Sequence, residues 1–346
     1  MRLVTVCLLA WMLVGVSPAS VGAAVRATEP QEKQSEADAA GDLISRGDYE
    51  TALKKLQPLA QKGDAHAQYL LGFMYFNGMG VERSLPEATK WLRLASDQGH
   101  EYARLLLGIC LNAAGDFAES AKILRWAADK GETSAQNLLG AQYLNGKGVP
   151  VDEKEAARLF KLAADQGDSY GQLMMGELAL QGKGMPQDYK LAEQYLRLAA
   201  KQGQTPAQVL LGTMLYSGEG GIAVNTAEAM GWWQKAAASG DETGEYYLGI
   251  AYSEGKATQR DDVEAARRFR AAAEKGDAGG QYRLGSCYFQ GLGVTKNLVQ
   301  SLAWLRLAEE QKFSGSSDLA KKVAAEMTPE QISAADLLVK EWRARH

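Results

Sequence analysis

The chain contains three histidines, His66, His100 and His346, and three cysteines, Cys7, Cys110 and Cys287. Imidazole and thiolate are the side chains that most readily hold zinc or carry nucleophilic and acid–base steps. His66 and His100 stand at the starts of two short helical stretches, either as solvated helix-start residues or brought near each other by the fold. No Cys, Asp or Glu at ligand spacing joins them, so no metal site is expected, and His346 is the last residue. Gly-x-Gly runs at Gly78 and Gly80, Gly146 and Gly148, and Gly291 and Gly293 invite a phosphate reading. None carries the Gly-Lys-Ser/Thr of a phosphate loop or its strand–turn–helix setting. Their recurrence argues for turn geometry. Asp261 and Asp262 fit a helix start, where carboxylates favour the dipole, and no Gly-x-Ser-x-Gly nucleophile elbow occurs. No catalytic residue, cofactor or metal is expected, and the chain is not expected to be an enzyme.

The glycines belong to a repeat that has to position everything else. Leu-Gly or Met-Gly glycines at Gly72, Gly108, Gly140, Gly176, Gly212, Gly249 and Gly285 are spaced by 36, 32, 36, 36, 37 and 36 residues. A second set, Gly63, Gly99, Gly131, Gly167, Gly203, Gly240 and Gly276, gives the same series. Two markers drifting together through the 32 and the 37 define one unit of two helices. The extra glycine near Gly220 and Gly221 accounts for the long interval, and the loss of the Gly-x-Gly loop around Ala113–Asp116 for the short one. In one unit Gly167 ends a helix, Asp168 caps the next, and Gly171, Met175 and Gly176 recur at helical spacing. The second helix then carries Ala192, Tyr195, Leu196, Ala199 and Ala200 on one face. Cys110 and Cys287 fall two residues after their Leu-Gly glycines, in repeats far apart. They are expected to be small buried core residues, not a disulfide, which needs Cα atoms within about 7 Å.

The run Ala67, Leu71-Gly72, Tyr75, Gly78, Gly80-Val81, Ala88, Trp91, Ala95 and Gly99 resembles the Sel1-like repeat family, a relative of the tetratricopeptide repeat. The pattern recurs around Leu284, Gly285, Tyr288, Gly291, Gly293, Val294 and Trp304, and the resemblance covers roughly residues 41 to 312. Departures are Leu111, Ala179 and Leu215 at the Tyr position, and Ile123, Leu159, Tyr195 and Arg268 at the Trp position. Arg268 must snorkel, with Phe269 taking up the packing. The resemblance implies an all-α fold: an α/α solenoid, or superhelix, of about seven Sel1-like helix-pair repeats with N- and C-terminal capping helices. It also implies a job in binding other proteins. Cysteine-rich relatives linked to β-lactam hydrolysis carry regular disulfides that this sequence lacks.

The expected organisation is a signal peptide over 1–24, a flexible lead-in over 25–40, an N-terminal capping helix pair over 41–63, repeats over 64–312 and C-terminal capping helices over 313–346. Arg2, the charge-free apolar run Leu3–Val16 and the small residues through Ala24 give the signal, cut near Ala23 or Ala24. That run is shorter than the ~20 residues a spanning helix needs, so no integral membrane span is expected after cleavage. The expected location is the periplasm or the exterior. Thr328-Pro329-Glu330-Gln331 opens a last helix, with Ile332, Leu337, Leu338 and Trp342 lidding the final repeat. A formal net charge of −4 gives no basic footprint for nucleic acid. The expected function is a protein–protein interaction adaptor or scaffold of a bacterial cell envelope, with a protein partner. The alternatives are a secreted effector that binds a host protein, or an envelope enzyme acting on peptidoglycan or β-lactams. Residues seven apart on the first helices share one side. On that stripe Tyr69, Phe76, Asn137, Tyr216, Tyr246, Tyr282 and Phe289 either line a partner-binding groove or pack between repeats.

Overall fold

In most repeats a glycine stops the second helix and a capping residue follows at once, so the chain turns and starts again within two or three residues. Gly63, Gly167, Gly240 and Gly276 all have positive φ, and Asp64, Asp168, Asp241 and Asp277 each accept a hydrogen bond from the amide three residues on. The structure, a computed structural model, describes residues 35–346. The signal peptide and cleavage site expected over 1–24 lie outside the described residues. Two compact units are present: the described residues up to Gly171 with Lys183–Met185, and Gln172–Gly182 with Pro186–His346.

Eighteen α-helices and no strand occur among the described residues. The first unit holds α1 (Glu36–Ser45), α2 (Tyr49–Gln61), α3 (Ala65–Asn77), α4 (Leu85–Asp97), α5 (Glu101–Ala114), α6 (Phe117–Asp129), α7 (Thr133–Asn145) and α8 (Glu153–Asp165). The boundary between units falls in α9 (Ser169–Gln181). The second unit continues with α10 (Tyr189–Lys201), α11 (Thr205–Ser217), α12 (Thr226–Ala238), α13 (Glu242–Glu254), α14 (Asp262–Glu274), α15 (Ala278–Gln290), α16 (Leu298–Glu310), α17 (Ser316–Ala324) and α18 (Pro329–Arg345). Within the units helices pack on their neighbours in sequence, the order of a helix-pair solenoid, and at the C-terminal end α18 packs back on α16.

Three devices make the pairs. The Leu-Gly glycine lets two helices touch: a Cβ on Gly72 would lie 2.7 Å from Leu92. Leu71 and Leu92, each almost fully buried, fill the space around it; burying each contributes roughly 1.5–3 kcal/mol. The loop closes by a repeated backbone bond from the second helix's N-cap to the first helix, as in Ser84 N–H to Tyr75 O at 3.0 Å and Asn297 N–H to Tyr288 O at 2.9 Å. The second glycine of Gly-x-Gly has positive φ and abuts the preceding repeat, so that a Cβ on Gly293 would overlap the Asp262 carbonyl. The glycine loops are turns that also set repeat-to-repeat distance.

A buried glutamine runs through both units and was not singled out in the sequence. Gln68 Nε2 donates to Ala60 O at 3.0 Å and Gln98 Nε2 donates to Gln68 Oε1 at 2.8 Å. Gln136 with Gln166, and in the second unit Gln172 with Gln202 and Gln281 with Gln311, repeat the side-chain bond. Each bridges the end of one second helix to the first helix of its own repeat. The signal was present: Gln stands four before the Leu-Gly or Met-Gly glycine in five repeats.

The structure differs from expectation in three places. α1 begins at Glu36, inside the stretch expected as a flexible lead-in. Ser35 and Asp38 form a capping box and Ala37 and Ala40 are buried, so the N-terminal cap starts before residue 41. At the other end Thr328 and Gln331 do form a capping box, and Ile332, Leu338 and Trp342 pack on the terminal cluster around Ala335 and Val339. Leu337 does not; it is 56% exposed, because it lies about 100° per residue off the 335–338–342 stripe. Arg268 behaves as expected, its guanidinium paired with Glu245 at 2.9 Å and Glu264 at 2.8 Å while Phe269 fills the core. Cys110 is buried, but Cys287 is only half-buried, and both are free thiols.

Candidate partner-binding face

First and second helices divide their labour by composition. Second helices bury an alanine-rich stripe and show charge outward, as Arg93, Lys122, Lys154 and Lys161 do in the first unit and Arg267 and Arg270 in the second, with Leu94, Leu162, Leu198 and Val263 exposed singly among those charges. First helices are apolar nearly all round, which normally means full burial. Yet one face stays half-exposed: Tyr69, Leu105, Ile109 and Leu144 in the first unit, and Leu180, Tyr216, Tyr246, Ile250 and Tyr282 in the second. Small polar residues such as Ser253 and Ser286 share that face.

The expected groove residues fall into three groups. Phe76 and Asn137 are buried and offer no open contact surface. Phe76 lies under the loop, where Arg83 covers its ring at 5.9 Å and bonds its carbonyl; Asn137 Nδ2 donates to Asp168 Oδ1 at 2.7 Å. Tyr282 and Phe289 are half-buried and pack on the C-terminal cluster, Tyr282 with its ring 5.2 Å from that of Phe313. Tyr69, Tyr216 and Tyr246 are half-exposed but bridge repeats. The Tyr216 hydroxyl donates to Glu254 Oε2 at 2.9 Å, and burial followed by that bond pushes its phenol well above the usual range. Tyr246 lies beside Phe269 and limits position 279 to glycine, since a Cβ there would come within 2.8 Å of its ring.

At the starts of these helices the polar groups converge. Asp277 is held up to about 6 by burial, opposed by the Gly280 amide and reinforced by Glu242 and Asp241. Asp241 is raised as well, again chiefly by burial. In the first unit His66 and His100 do meet: Nδ1 of His66 is 3.2 Å from Nε2 of His100, and the rings stack at 5.5 Å. They are not merely solvated helix-start residues. Tyr69 stacks on His100 at 4.7 Å, and Tyr102, 55% exposed, closes the group. Among the described residues no group of three His, Cys, Asp or Glu is arranged to hold a metal ion. Asp261 caps α14 and Asp262 pairs with Arg260, so that carboxylate pair serves the helix start.

Solved structures share this architecture. A Sel1 repeat protein from Oxalobacter formigenes superposes with a TM-score of 0.64 at 29% identity, over 83% of this chain and 87% of that one. A protective antigen present in uropathogenic Escherichia coli strains, displaying an SLR fold, gives 0.54 at 26% identity, over 89% of this chain and 75% of that one. A sel1-like repeat-containing protein of Acanthamoeba polyphaga mimivirus is 40% identical over 43 residues, a match that spans 12% of this chain and only 7% of the viral protein. The Sel1 repeat profile matches residues 65–100, 133–168, 169–204, 205–241, 243–277 and 278–313. The unmatched stretch between the first two is the pair α5 and α6, which keeps the fold while lacking the glycine loop. With more than half of its length matched, the chain belongs to the Sel1 repeat family.

Proposed function

We propose that this protein is an adaptor of a bacterial cell envelope, exported by its N-terminal segment, that holds a partner protein along the half-exposed face of its first helices. Sel1 repeats generally mediate protein–protein interaction, and proteins of this fold are typically non-enzymatic scaffolds. The observation that carries the reading is that the half-exposed aliphatic and aromatic face of the first helices is nearly free of charge, whereas the exposed apolar residues of the second helices, Leu94, Leu162, Leu198 and Val263, stand singly among charged neighbours. Export rests on the apolar run Leu3–Val16 followed by small residues. The relative described as a protective antigen favours a second reading, an exported protein that meets a host protein.

A photo-crosslinking residue placed at Ser253 or Ser286 tests the face directly. Both positions are half-exposed on first helices, whereas Gln234 and Arg267 are exposed on second helices. In the producing bacterium, adducts from the first pair alone support the face; adducts from both pairs equally, or from the second pair alone, refute it. Fractionation of the same cells separates a periplasmic adaptor from a protein released to the medium.

A further inference from the structure

The His66–His100 contact has one consistent arrangement of protons. His100 is the N-cap of α5, and its Nδ1 accepts from the Ala103 amide at 3.2 Å. A nitrogen that accepts carries no proton, so the neutral ring carries its proton on Nε2. That N–H points at His66 Nδ1, 3.2 Å away, which must accept in turn. His66 then bears its own proton on Nε2, where Asp38 Oδ1 of α1 lies at 3.3 Å. The chain Ala103 → His100 → His66 → Asp38 is complete only when both imidazoles are neutral. It also occupies both nitrogens of His100, which leaves none for a metal.

We propose that the His66–His100 pair is an acid-sensitive latch between the first two repeats, one that holds Tyr69 in its stack at neutral pH and frees it on acidification. An added proton has no acceptable place. On His100 Nδ1 it faces the Ala103 amide and removes the cap; on His66 Nδ1 it faces the His100 donor. Either way the ring contact opens, and with it the stack of Tyr69 on His100 and the first turn of α5. The inference rests on the reading of the first-helix face as a partner surface only in its consequence, since Tyr69 belongs to that face. The latch itself is a property of the free protein.

The surrounding charges come from each packed element. α1 supplies Asp38; the start of α3 supplies Asp64, His66 and Tyr69; α5 supplies Glu101 and Tyr102. Glu101 is paired with Lys130 from the end of α6. The end of α4 offers the neutral Gln98, while its Asp97 acts on Arg93. Asp38 faces His66 Nε2, away from the shared contact, so the opening is between α3 and α5. Burial first, then the facing His66, lowers the His100 pKa, with Asp64 opposing.

With the free imidazole at ~6.5, an opening that exposes His100 becomes about tenfold more favourable between pH 7.5 and 5.5. The test uses the full chain with 15N-labelled histidine, whose three rings are readily assigned. At pH 7.5 the His100 resonance is expected to show the Nε2–H tautomer; an Nδ1–H tautomer overturns the latch. Exchange protection of the Ala103 amide, corrected for intrinsic rate, is expected to fall about tenfold from pH 7.5 to 5.5. In His100→Asn, where a non-titrating amide oxygen caps α5, it is expected to stay flat. A fall of less than twofold in the unsubstituted protein, or an equal fall in His100→Asn, refutes the proposal. Loss of partner adducts at the Ser253 and Ser286 positions would overturn the face reading without touching this one.

Discussion

Gln208 is the incomplete rung of the glutamine ladder. Its Nε2 donates to Ala200 O at 3.2 Å, but its buried Oε1 has no hydrogen-bond partner. The residue that supplies the partner elsewhere is the C-cap of the second helix: Gln98, Gln166, Gln202 and Gln311. Here the C-cap is Ser239, with φ −81° and ψ 4°, against −82° and 5° at Gln311. The backbone is therefore already shaped for glutamine. Ser239→Gln should supply the missing donor, recovering about 1–3 kcal/mol from an unsatisfied buried oxygen. Ordering an exposed glutamine costs roughly 1–2 kcal/mol, so the net gain is on the order of 1 kcal/mol, about 2–4 °C in melting temperature. Urea unfolding followed by circular dichroism measures it, with Gln208→Leu as the second arm of a double-mutant cycle. A gain that persists undiminished in the Gln208→Leu background, or no gain at all, would refute the account of the ladder.

Three further outcomes follow from the same contacts. Gly293→Ala, at positive φ and against the Asp262 carbonyl, should destabilise by at least about 2 kcal/mol from strain and overlap combined, read by chemical denaturation. Arg268→Ala leaves Glu245 with 14% side-chain exposure and no partner guanidinium, and should cost about 1–3 kcal/mol. Arg260→Ala, which breaks an exposed pair with Asp262, should leave the unfolding midpoint unchanged within error; similar losses in the two would discount burial as the cause. Asp277 has a folded value near 6, raised above its ordinary 3.8. Its contribution is therefore fully present below the unfolded value and is lost as pH rises towards 6. Asp277→Asn keeps a capping oxygen and should flatten the stability slope between pH 4 and 6, gaining on the order of 2 kcal/mol at pH 7; an unchanged slope assigns it to another group.

The repeat was legible because its markers are backbone requirements. A left-handed stop at Gly167, a Leu-Gly contact at Gly72 and a loop glycine abutting the previous repeat at Gly293 each admit one residue type, so they recur at fixed spacing. Side-chain partnerships were less legible because they join residues about 30 apart in sequence through geometry that only the fold supplies. The glutamine ladder is such a case, visible afterwards as Gln four before the Leu-Gly or Met-Gly glycine yet meaningless without its Gln98-type partner. His66 and His100 are another: their types and spacing permit a meeting, and only the cap at Ala103 decides which nitrogen carries a proton. α1 was hidden for a different reason. Its alanine-rich polar composition resembles a tail, and Ala37 and Ala40 become core residues only because α2 and α3 bring an apolar face to them.

The site residues show where periodicity stops being informative. A seven-residue spacing selects one side of a helix but cannot say whether that side meets solvent or the next repeat. For Phe76 and Asn137 the answer is burial; for Tyr69, Tyr216 and Tyr246 it is both, an edge packed on a neighbour with a face left over. A half-buried aromatic fixed by its neighbours loses little conformational entropy when a partner arrives, which makes the bridging tyrosines better anchors than free ones. That argument also links the latch to the face. An anchor is useful when rigid, so freeing Tyr69 at low pH should weaken, not strengthen, any contact made through it.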